Sequence, residues 1–163
     1  MRNRVVPVLL LAVGLLMVSS PMFTHHSNAV VDKDKLITVT GVVTKFAFVN
    51  PHVAVYWEGQ DGKGDVTEWY ASGGTPKMLA EVGWNNKTFK SGERILIQGH
   101  PLRDGRPIMA FRALYRCNGE GITLDPGNAT EYRTRVKIVP LNPDRVKALC
   151  AEGKLVEGPI QTQ

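Results

Sequence analysis

Residues Leu36–Val49 read LITVTGVVTKFAFV, an almost unbroken series of β-branched and aromatic residues with a single glycine, Gly41, near its middle. Side chains of this kind lose rotamer freedom in a helix and pack well on a pleated surface. A glycine inside so long a strand marks a bulge or sharp bend, which one strand needs if it serves both halves of a closed barrel. The rest of the chain is punctuated in the same sense. Its 16 Gly and 10 Pro favour many short elements joined by turns over a few long helices.

Asn50-Pro51 ends the first strand, and His52–Gly59 (HVAVYWEG) reads as the second. Asp61-Gly62-Lys63-Gly64 supplies a turn into a third, Val66–Ala71 (VTEWYA). Thr75 as N-cap, Pro76 at the first helical position and Gly83 as the stop define a short helix. Glu93–Gly99 and Pro107–Arg116 then read as two strands around the turn Leu102-Arg103-Asp104-Gly105. Three strands, a helix and two strands is the order of an OB-like barrel, the five-stranded Greek-key form whose outer face and loops bind ligands. An open antiparallel sheet covered by one helix is the alternative architecture. Beyond Cys117 the texture changes. Tyr132–Val139 reads as a further strand, and Asn142-Pro143-Asp144 opens a helix that runs to Glu152 before Gly153. This tail, 117–163, is too short for a core of its own and is expected to be a strand/helix appendage to a domain at 25–116.

Arg2 and Arg4 precede an apolar run, Val5–Val18, that gives way to Ser19, Ser20 and Pro21. That is the layout of a secretory signal peptide, and the run is short for a membrane span. Cleavage after Thr24 leaves His25 as the amino terminus, whereas cleavage after Ala29 discards both His25 and His26. Either cut removes Arg2 and Arg4 and lowers the formal charge from +5 to +3. So mild a charge does not argue for nucleic acid. The expected location is the periplasm or outside the cell, with no stable membrane insertion once the leader is gone.

Two cysteines, Cys117 and Cys150, occur without any CxxC or Cys/His zinc spacing. In an oxidising compartment they are expected to pair and tether the appendage, contributing roughly 3–4 kcal/mol through chain entropy. The rival reading, a reactive thiol, lacks a neighbouring His or cationic cluster to hold a thiolate.

The segments His25-His26-Ser27, ITVTGVVTKF, Val49-Asn50-Pro51-His52, Glu68-Trp69, Gly73-Gly74-Thr75-Pro76, Gly83-Trp84 and Gly99-His100-Pro101-Leu102-Arg103-Asp104-Gly105 occur here in one order. In that order the chain resembles an uncharacterised family of small exported bacterial proteins that begin His-His-Ser after the signal and contain Asn-Pro-His. The resemblance covers about residues 25–116 and leaves the tail outside. It implies export and a β-rich domain, and it transfers no activity.

The chemistry is read from few residues. With His25 at the amino terminus, its amine and imidazole, joined by His26 or His52, form a nitrogen set suited to copper(II). Against this, His25 and His26 read equally as unordered terminal residues, with His52 capping a turn and His100 in a loop. Among the aromatics on the strands, Phe46, Phe48, Tyr56, Trp57, Trp69, Tyr70 and Phe111, some must alternate outward, where they are able to stack on bases or sugars. Trp57 and Trp69 are the candidate ligand contacts, with His100 and Arg103 beside them, although either indole also suits the core. The carboxylates Asp32, Asp34, Glu58, Glu68 and Asp104 show no acid–base spacing, and no serine lies in a nucleophile elbow. The expectation is an exported, non-enzymatic binding protein of the cell envelope, for a small molecule or a protein partner. A copper-binding protein and a structural accessory subunit of an envelope complex are the alternatives.

Overall fold

The computed structural model describes residues 30–122, 124 and 140–158. Five strands carry the fold: β1 (Ile37–Ala47), β2 (Val53–Gln60), β3 (Val66–Gly73), β4 (Arg94–Pro101) and β5 (Ile108–Arg116). They pair in the order β1-β2-β3-β5-β4 and back to β1, so the sheet closes into a barrel. All neighbours are antiparallel except β3 and β5, whose parallel contact, Tyr70↔Ile108 to Ser72↔Ala110, is the closing seam. The OB-like architecture and the strand order expected from the sequence are both present. A short helix, α1 (Pro76–Ala80), lies between β3 and β4. It is capped by Thr75, whose hydroxyl accepts from the Met78 amide at 3.2 Å. The helix ends at Ala80, short of the Gly83 stop expected from the sequence, and the chain reaches Gly83 (φ +91) through a turn.

Gly41 is the point at which β1 is shared. It pairs with Gly59 of β2 on one side and Ile95 of β4 on the other. A Cβ there would overlap the Glu58 carbonyl and come within 2.6 Å of the Trp57 ring, so only glycine fits. The register then slips between Val43 and Lys45. This bulge lets β1 bend from one half of the barrel to the other.

The interior is filled by alternate residues, including Val39, Val43, Val55, Trp57, Trp69, Ile95, Ile97, Met109 and Leu114. One end is plugged by Leu79 of α1 with Trp84 and Phe89, and Phe46 and Phe111 pack their rings against Trp84.

Outside the barrel a second, smaller core forms. Helix α2 (Pro143–Glu152) has Asn142 as its cap and Gly153 (φ +70) as its stop. Its Val146, Leu149 and Cys150 press with Leu141 onto Leu96 and Tyr115, which point outward from β4 and β5. Cys117 and Cys150 form a disulfide with their Cα atoms 5.7 Å apart. The Arg94 guanidinium donates to the Cys150 carbonyl at 2.7 Å, and Tyr115 Oη accepts from the Leu141 amide at 3.1 Å. Two brief strands complete the sheet, β6 (Gly121–Ile122) on β5 and β7 (Val156–Glu157) on β1. The strand expected at Tyr132–Val139 and the leader lie outside the described residues. No helix among the described residues is long and apolar enough to cross a membrane.

Candidate functional site

Strands β2 and β3 pair residue for residue, with Trp57 opposite Trp69 and Tyr56 opposite Tyr70. Side chains alternate across a strand, so one of these pairs faces inward and the other outward. The tryptophans face inward. Trp57 is fully buried and Trp69 nearly so, their rings stacked with centroids 6.0 Å apart. The ligand-contact role expected of Trp57 and Trp69 is therefore corrected: both indoles are core.

The outer face carries the tyrosines instead. Tyr56 and Tyr70 are half-buried, with ring centroids 5.1 Å apart. Lys45 of β1 is paired with Tyr56, and its ammonium sits 5.3 Å from the centre of that ring. On the far side Tyr70 is paired with Ile108 of β5, which is partly exposed. One row of side chains, Lys45, Tyr56, Tyr70 and Ile108, thus crosses four strands.

The rows on either side differ in character. Toward the β2–β3 turn stand Glu58 and Glu68, exposed and directly opposite each other. Like charges in register on a sheet are destabilising. Among the described residues neither carboxylate forms a salt bridge, and Glu68 accepts from the Thr44 hydroxyl at 3.3 Å. Toward the β1–β2 loop the row is small: Ala47, Ala54, Ser72 and Ala110 are register partners across the same four strands. The result is a row of small side chains alongside the tyrosine ridge, with Ala54 buried and Ala47, Ser72 and Ala110 partly exposed. This face, between the β1–β2 and β4–β5 loops, is where OB-type barrels present their ligand surface.

The other expected site residues do not join it. His52 is exposed in the β1–β2 loop, after the cis Asn50-Pro51 bond. His25 and His26, which with His52 made up the copper set, lie outside the described residues. Among the described residues no group of three or more His, Cys, Asp or Glu is arranged to hold a metal ion. Arg103 is exposed in the β4–β5 turn, its guanidinium 3.9 Å from Asp32. Asp104 in the same turn receives the Arg106 backbone N–H and its Nε at 2.8 Å, which hold its carboxyl below the ordinary carboxylate range.

His100 is not in a loop as expected but on β4, fully buried on the barrel's outer wall. Its Nδ1 lies 2.6 Å from the Lys35 carbonyl and so carries the proton, leaving Nε2 with no partner among the described residues. Gln98 and Thr38, joined by a 3.2 Å bond from Gln98 Nε2, are buried beside it. Burial is the main reason the His100 pKa falls below its ordinary 6.5. The Lys35 carbonyl and Asp32 oppose that shift, and Arg112 and Lys33 add to it. Below pH 6.5 the unfolded chain therefore takes up a proton that the folded chain refuses. Stability contributed by neutral His100 should be complete above that pH and fall as the solution is acidified. Urea midpoints at pH 7.5 and 5.0 should differ more for the wild type than for H100Q. Equal slopes would show that His100 does not titrate on unfolding.

Sequence reasoning had Tyr56 and Tyr70 among the strand aromatics but did not select them. The available signal was their adjacency to Trp57 and Trp69, which guarantees that one ring of each pair faces out.

No curated protein and no solved structure matches the chain. A family model matches residues 12–109, more than half of the chain and ending within β5, before either cysteine. By that match the chain belongs to DUF6152, a family of unknown function.

Proposed function

We propose that this is an exported binding protein of the cell envelope that engages its ligand on the outer β2–β3 face, without covalent chemistry. The observation that carries the reading is the half-exposed Tyr56–Tyr70 pair at the centre of that face. Large aromatic rings on an open sheet surface gain most when a ligand covers them. The disulfide and the apolar segment behind Arg2 and Arg4 support an oxidising, extracytoplasmic location, in the periplasm or beyond.

Two measurements test it together. Amino-terminal sequencing of the mature protein should place the terminus at His25 or Val30, and a retained leader on cytoplasmic protein would end the export reading. Wild-type protein equilibrated with envelope extract should retain a component, identified by mass spectrometry, that Y56A/Y70A loses. Both tyrosines are on the outer wall, so the double variant should keep its thermal midpoint within a few degrees. Retention unchanged by the double substitution would remove the face from the function. A protein as the retained component would select the accessory-subunit reading.

A further inference from the structure

Resting on that binding-face reading, we propose that the ligand is an uncharged oligosaccharide of N-acetylated hexosamines, lying across β1, β2, β3 and β5 with sugar rings on Tyr56 and Tyr70.

Charge removes the main competitor. Outer faces of OB-type barrels take oligonucleotides or oligosaccharides, and both stack on exposed aromatic rings. A nucleic acid brings a phosphate for every base and needs cations along its track. Here the row beside the tyrosines is Glu58 and Glu68, two exposed carboxylates without a cationic partner among the described residues, against the ammonium of Lys45. Arg103 and Arg106 in the bordering β4–β5 turn each lie against an acid, Asp32 and Asp104. A polyanion is repelled by that row. A neutral sugar chain is not, because its hydroxyls donate to carboxylates, and carboxylate acceptors make the stronger hydrogen bonds. The opposed glutamates, costly to the free sheet and lacking a cationic partner among the described residues, gain further donors when such a ligand arrives.

Shape agrees. The ridge spans three inter-strand steps of about 4.8 Å, or about 14 Å in all, which suits an extended chain better than a compact metabolite. The floor beside it, Ala47, Ala54, Ser72 and Ala110, has no side chain larger than serine. It leaves room for an acetamido methyl lying flat against the sheet, with the Ser72 hydroxyl at hand for the amide.

The test uses the full mature chain and chitotetraose, a soluble neutral tetramer of N-acetylglucosamine. Titration should produce saturable NMR shifts of the Tyr56 and Tyr70 ring protons and of β2 and β3 amides. Y56A/Y70A should bind at least about tenfold more weakly, by the usual worth of two stacked rings. Y56F/Y70F should retain most of the affinity, and oligothymidylate of the same length should produce no shifts. No saturable shift with chitotetraose, shifts that persist in Y56A/Y70A, or tighter binding of oligothymidylate each overturns the proposal. If chitotetraose fails while the wild type still retains an extract component that Y56A/Y70A loses, the sugar class falls and the binding face stands. If that retention is also insensitive to the substitutions, both fall.

Discussion

Replacing Trp57 with Ala should destabilise the barrel by about 3–5 kcal/mol, the range for deleting a fully buried aromatic ring. The ring stacks on Trp69 and fills the space left by Gly41 and Gly59, so no neighbour can collapse into the cavity without moving backbone. Its indole N–H has no acceptor among the described residues. W57F therefore removes an unsatisfied buried donor along with part of the ring, and should cost distinctly less than W57A. Urea denaturation followed by far-ultraviolet circular dichroism measures both. A W57A protein as stable as the wild type would place the ring on the surface and restore it as a ligand contact.

The second large effect concerns the bridge between the barrel and α2. C117S/C150S should lose roughly 3–4 kcal/mol, the chain-entropy value for a loop of 33 residues. The loss should not be uniform. Barrel amides sit in ladders that meet a cysteine only at one end, where the Cys117 N–H donates to the Arg94 carbonyl at 3.1 Å. By contrast, α2 and β7 are held by a small cluster around Leu96 and Tyr115, the Arg94 bond to the Cys150 carbonyl and two register pairs with β1. Hydrogen exchange in the double variant should therefore accelerate first in α2 and β7, before the strands open. Unchanged midpoint and unchanged exchange would mean that the appendage is held by packing alone.

Most of the fold was legible from local signals. The five strands were visible as period-2 or β-branched runs bounded by Gly, Pro and Asn. Helix α2 was visible from end to end because Asn142, Pro143 and Gly153 mark its limits. The family match and the resemblance rest on overlapping residues, and both leave the cysteine-bearing segment outside. Strands β6 and β7 carried no signal, since two residues have no periodicity and exist as strands only because β5 and β1 offer edges.

The candidate site was half legible. Sequence placed an aromatic doublet on each of β2 and β3 but left open which member faces out, because either choice buries one large ring. Packing decided it. Gly41 and Gly59 leave room inside the barrel for an indole, so Trp57 and its partner Trp69 turn inward and Tyr56 and Tyr70 are left on the surface.

By itself the amino-acid order determined the five barrel strands and the two helices, their sequence along the chain and the capacity of two sulfurs to join, since propensity, capping and turn chemistry act over a few residues. Only the tertiary structure decided which faces meet water. Thr38, Gln98 and His100 alternate as a solvated outer face would, yet they are sealed in, on a wall that also carries Leu96 beneath α2. Burial depends on segments distant in the chain arriving at one place, and no local pattern encodes that arrival.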